Sequence, residues 1–128
     1  MTDTQRFALA LYADGTFQMI DWPTTRTLQT LYTEIGCQNV TAVDMTDDLT
    51  MWLDDEGLIN GSPVNVGATA LYAAHRPPHQ LYHGTAIITG GTDRHGDTLP
   101  LTLDQLSTLL TLHLSLCDAK IPGQRSKQ

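Results

Sequence analysis

Basic residues are what this sequence has least of. Seven Lys and Arg stand against fourteen Asp and Glu in 128 residues. Lys120, Arg125 and Lys127 fall in the last nine positions, so residues 1–119 hold fourteen acids and four bases, a formal −10. Such a body repels phosphate backbones, which argues against direct nucleic-acid binding. It favours a basic protein partner, although acidity for solubility accounts for the same charge. Aromatic residues are sparse too, and no apolar run approaches the roughly 18 residues of a membrane span. No membrane partner is expected.

The first residues, MTDTQRFALALYADG, lack the basic region and cleavage pattern of a secretion signal. A soluble, cytoplasmic protein is expected, in which the Asn39-Val40-Thr41 and Asn60-Gly61-Ser62 sequons stay silent. Only two cysteines occur, Cys37 and Cys117, 80 positions apart and in no CxxC pair. In a reducing compartment they read as free thiols rather than a disulfide.

What the chain does have is apolar residues, at 41%, too many for a disordered segment. The length suits one domain, placed at residues 1–118, with a polar, proline-broken tail over 119–128. Phe7 to Tyr12 and Thr16 to Asp21, separated by a turn with Asp14-Gly15, read as a β-hairpin that Trp22-Pro23 closes. Leu28, Leu31, Tyr32 and Ile35 recur at helical spacing, and Gly36 stands where a left-handed cap belongs. Gln38 to Met45 and Leu49 to Leu53 form a second hairpin signal. Asp54 to Gly57 and Asn60-Gly61 both turn the chain. Asn65 is placed to cap a helix from Val66 to about His75, which Pro77-Pro78 must end. His83 to Gly90 reads as a buried strand, and Gly90 to Gly96 as an exposed glycine-rich loop. Thr102 to Gln105 fits a capping box before a last helix to Cys117. Its apolar face comprises Leu103, Leu106, Leu109, Leu110, His113, Leu114 and Cys117. The expected fold class is α+β, a small antiparallel sheet of about five strands with three helices packed against it.

Four candidate sites emerge. Asp54, Asp55 and Glu56 could hold a hard cation or meet a basic partner, but they lack the alternating ligands of a calcium loop, and the turn reading is preferred. His75, His79 and His83 are spaced by four, yet Pro77-Pro78 forbids one continuous helix, and surface histidines are preferred over a metal site. His95 and His113 have no nucleophile at recognisable spacing, and no catalytic residue, cofactor or metal is assigned. The fourth is the loop Ser62 to Thr69. There Asn65 caps the helix and Gly67 leaves amides uncovered near Ala68 and Thr69, so the helix start is a candidate anion site. Gly90 and Gly91 are candidates to close over it. No standard phosphate-binding motif is present, and a plain helix cap is the preferred reading.

The central stretch also carries a resemblance. Leu28-Gln29 in the early helix, the acidic turn Asp54-Asp55-Glu56-Gly57, the pattern Pro63, Asn65, Ala68, Thr69, and a strand from Gly84 to Gly90 occur in this order. In that order they resemble the uncharacterised family called domain of unknown function 3846. The similarity spans about residues 6–100, with the final helix over 102–117 read as an extension. The resemblance implies an accessory role on phages, plasmids and other mobile elements, some near antirestriction genes. The expected function is therefore non-enzymatic: to counteract a host defence by binding and blocking a host protein. The alternative is an oligomeric binder, plausibly a homo-oligomer, that sequesters a small anionic signal of nucleotide type.

Overall fold

The computed structural model describes residues 6–57, 60–75 and 81–120, the last five of these by backbone alone. Strands β1 (Phe7–Leu11) and β2 (Phe17–Asp21) form the first hairpin, followed by helix α1 (Thr27–Ile35). Strands β3 (Val40–Thr46) and β4 (Leu49–Asp54) form the second, followed by α2 (Val66–His75), β5 (Ala86–Gly90) and α3 (Leu103–Lys120). All neighbours are antiparallel, in the order β2-β1-β5-β4-β3. The last strand in the chain is thus the middle of the sheet. All five residues of β5 are buried, as a strand covered on both faces requires.

The pleat sends alternate residues to opposite faces, and the two sets build two cores. On one face Leu9, Leu11, Met51, Leu53 and Ile88 pack with Leu71 of α2 and with Leu106 and Leu109 of α3. On the other, Ala8, Ala10, Ile20 and Ile87 pack with Trp22 and with Leu31 of α1. Five strands and three helices are as expected, but the helices are divided between the faces. β1 is apolar at every position and β5 at every position but Thr89, so neither face of either strand is fit for water.

The helix ends follow local chemistry. Gly36 closes α1 at φ 80°, a conformation glycine adopts without a side-chain clash. At α3 the Thr102 hydroxyl accepts from the Gln105 amide at 3.0 Å, and the Gln105 side chain accepts from the Thr102 amide at 2.9 Å. That helix runs to Lys120, beyond the expected Cys117 and into the expected tail; residues 121–128 lie outside the described residues. Its buried face is narrower than the sequence suggested. Leu106, Leu109 and His113 are buried, whereas Leu103 and Leu114 stay 72% and 53% exposed. Leu28 of α1 is likewise exposed, so only Leu31 of its stripe is fully inside.

The expected glycine-rich loop begins two residues too early. Gly90 and Gly91 are buried, and a Cβ there would lie 2.6 Å from the Pro100 carbonyl oxygen and 2.7 Å from that of Asp47. The chain doubles back on itself: Gly90 donates to Leu99 at 2.9 Å, Leu99 to Gly91 at 2.8 Å, and Leu101 to Phe7 at 2.9 Å. Close backbone approach, not ligand access, is what these two glycines serve.

Asn65 is fully buried where α2 meets the sheet. Its Oδ1 accepts from the Ala68 amide at 2.9 Å, while its Nδ2 donates to the carbonyls of Leu11 at 3.0 Å and Gly84 at 2.8 Å. Asn65→Leu keeps the branched outline of the side chain but adds bulk and removes three hydrogen bonds from a buried site. It should cost about 3 kcal/mol or more in urea unfolding.

Candidate functional site

The anion site expected at the α2 start is not assembled. Asn65 spends its whole carboxamide on the fold, and Ala68 is buried. The Thr69 hydroxyl accepts from the Tyr82 amide at 3.0 Å. A Cβ on Gly67 would lie 2.7 Å from Cε1 of His113, so the α3 histidine occupies the space over the helix start. Gly90 and Gly91 cannot close over it either. Asn65 bonds to Gly84, before β5 begins, and Gly90 ends that strand, roughly 20 Å further along an extended chain.

The acidic turn is split. Asp54 is turn scaffolding, its carboxylate accepting from the Glu56 amide at 2.9 Å and from Asn60 Nδ2 at 3.2 Å. Asp55 and Glu56 are exposed. Of the three histidines, His79 lies outside the described residues. His75 Nδ1 donates to the Leu71 carbonyl at 2.8 Å, and His83 is half-buried beside the sheet. Among the described residues no cluster of His, Cys, Asp or Glu is placed to hold a metal. His95 sits exposed on the 93–97 loop. His113 is buried, with Nε2 donating to the Gly15 carbonyl at 3.3 Å and its ring edge-on to Phe17 at 5.5 Å. Cys37 is a free, half-buried thiol. Burial first, and the Asp54 carboxylate second, push its pKa up and keep it in the less reactive protonated form.

The site the sequence did not reveal lies on the α1 side of the sheet. A cavity of about 450 Å³ is lined by Arg6, residues 24–27, Asp93 and the run Gly96 to Leu99. Three segments far apart in sequence build it. Arg6 precedes β1 and is pinned over the hairpin exit, with Nε donating to the Trp22 carbonyl at 3.2 Å and one terminal nitrogen to that of Pro23 at 3.4 Å. Thr24 to Thr27 lead into α1. The third wall arrives because Trp22 Nε1 donates to the Thr98 carbonyl at 3.2 Å and Leu99 folds back on Gly90 and Gly91.

Two features make this cavity electropositive on one side. Arg6 and Arg26 are two of only four bases in residues 1–119. Arg26 is also the residue preceding α1, and it offers the helix no side-chain cap, nor does the first turn hold an acid. The positive end of the helix dipole is therefore left uncompensated by its own residues. Arg26 stands at φ 58°, ψ 39°, left-handed and unusual for a residue with a side chain. Strain of this kind persists where surrounding structure holds it and clusters at functional positions. The opposite side is acidic, with Asp93 and Asp97.

A family comparison covers the same elements. The family model described as Domain of unknown function (DUF3846) matches residues 7–113. The chain belongs to that family. The match takes in the cavity walls from Thr24 to Leu99 and runs on through the first part of α3, so that helix is not an extension outside the family region. Among curated proteins and solved structures, no match was found.

Asp93 organises the cavity's acidic loop. Its Oδ1 accepts from the amides of His95 at 2.8 Å and Asp97 at 3.0 Å. These bonds, the one from Asp97 foremost, hold its pKa below the ordinary carboxylate value. The folded carboxyl titrates below the unfolded one, so its bonds stabilise the loop above the unfolded value. That stabilisation is lost as pH falls through the folded value. Wild type should therefore melt above Asp93→Ala at neutral pH, and the two melting temperatures should converge on acidification below the ordinary carboxylate range.

Proposed function

We propose that this chain is a non-catalytic binder of a small anionic ligand of nucleotide type, held in the Arg6–Arg26 cavity. One observation carries the reading. In a body of formal charge −10, two of four bases line a single cavity of about 450 Å³ at an uncapped helix start. The volume lies in the range of small-molecule sites. A phosphate at the α1 start would take up first-turn amides and the Arg26 guanidinium, both effective anion donors. The Asp93 and Asp97 carboxylates across the cavity accept hydrogen bonds, so a ligand with amino or hydroxyl groups at its other end is favoured over bare phosphate. This is the sequestration reading with its site moved from Asn65 to Arg26.

Arg26→Gly is the discriminating variant, because glycine adopts the left-handed conformation freely and only the guanidinium is lost. Its folding stability should equal or exceed that of wild type, by up to about 1 kcal/mol. Its affinity for nucleoside mono- or diphosphates, measured by titration calorimetry, should fall about tenfold or more. Binding that is absent in wild type, or unchanged in the variant, would overturn the reading.

A second reading, that the protein binds and blocks a basic host protein, is supported by the exposed carboxylates of Asp55 and Glu56 and by the net charge. In this reading we propose a host defence protein as the partner, the class that the sequence resemblance implies. Reversal of Asp55 and Glu56 to Lys, leaving Asp54 to hold the turn, should abolish recovery of such a partner from host lysate and leave nucleotide binding intact. Equal recovery with the reversed turn would sink it.

A further inference from the structure

The sheet has two edges, and they are not alike. β3 carries a register irregularity between Asp44 and Thr46 and an exposed Asp44 on its run, two devices that discourage edge-to-edge pairing. β2 has neither. Its register with β1 is unbroken over five residues, and Thr16 to Ile20 carry no charge and no proline. Two of its large apolar side chains, Phe17 and Met19, are 38% and 47% exposed.

The backbone register decides which groups face outward. Tyr12 donates to Thr16 at 2.9 Å and Trp22 to Arg6 at 2.9 Å, so residues 16, 18, 20 and 22 turn their amides and carbonyls toward β1. Phe17, Met19 and Asp21 then turn theirs away from the sheet. Among the described residues no strand pairs with that side.

We infer that the outer edge of β2 is the homodimer interface of this protein, formed by two-fold antiparallel pairing of β2 with β2 of a second copy, centred on Met19. The register is self-complementary. Met19 pairs with Met19, and Phe17 with Asp21 in both directions, so that all three outward-facing residues meet outward-facing partners through roughly six hydrogen bonds. Met19 and Phe17 lie opposite Leu9 and Leu11, on the α2–α3 face, so both copies present their apolar side chains on one side of a continuous ten-stranded sheet. Charge selects the occupant. A basic peptide would find on β2 only the Asp21 carboxylate, whereas a second copy brings the same uncharged run from Thr16 to Ile20 and sets each Asp21 opposite Phe17 rather than opposite the other Asp21. Two acidic bodies repel elsewhere, and over about 8 Å that repulsion is screened at physiological salt. The dimer should therefore tighten as salt rises.

Analytical ultracentrifugation of the full chain at about 100 µM tests this, at low and high salt, for wild type, Met19→Lys on β2 and Ala42→Lys on β3. Wild type should sediment as a dimer that strengthens with salt. Met19→Lys should weaken association about tenfold or more while its far-ultraviolet circular dichroism spectrum shows the monomer still folded, since the side chain is exposed. Ala42→Lys should leave it intact. In wild type, amide exchange by NMR should slow at Phe17, Met19 and Asp21 as concentration rises, a pattern that dimerisation through another surface would not produce. A monomer at that concentration, a dimer indifferent to Met19→Lys, or one lost in Ala42→Lys would overturn the inference. Nucleotide titration of Met19→Lys should match wild type, keeping the interface separate from the cavity.

Discussion

The carboxamide of Asn65 is the constraint on which the rest of the fold leans. One buried side chain joins the end of β1, the approach to β5 and the first turn of α2. A carboxamide suits the place because it offers donors and an acceptor without charge, so it can be satisfied in a dry site. With α2 anchored there, its apolar side seals one face of the sheet together with α3. The same use of Asn65 removes the α2 start as a ligand site. A helix cap that is fully spent on its own chain has nothing left to offer.

The other helix start is built on a different principle. α1 begins at an arginine in a left-handed conformation, and its side chain does not cap the helix. What holds the segment in place is the Trp22 junction, where Arg6 grips the carbonyls of residues 22 and 23 and the indole binds Thr98. The glycine pair at 90 and 91 matters here at a distance. By letting the backbone of 97–101 lie against β5 and β1, it brings Asp97 and Thr98 to the rim of the α1 cavity. Residues that read as a ligand loop are instead the joint that builds the wall of another site.

Much of the secondary structure was legible because its signals are local. Asp14-Gly15, Gly36, the Thr102–Gln105 box and the Asn65 cap each act within a few residues, and each does so in the structure. The site was not legible in this way. Arg6 and Arg26 are twenty positions apart, and neither sits in a motif. Their one signal was scarcity: in so acidic a body, every base is worth tracing. The excess breadth expected for the α3 face has a similar cause. Helical spacing marks Leu103 and Leu114 as members of the stripe, but only the curvature and extent of the sheet decide which members find a surface to cover.

The sequence by itself determined the α+β class, the two hairpins, the three helices and the family, because alternation, helical period and turn chemistry are properties of neighbouring residues. Tertiary structure alone decided that β5 enters the middle of the sheet and that the helices divide between its faces. It alone decided that one helix start is sealed and the other lies open. Strand order and cavity walls depend on pairings across the whole chain, and the energy of such a pairing is written in no single stretch of it.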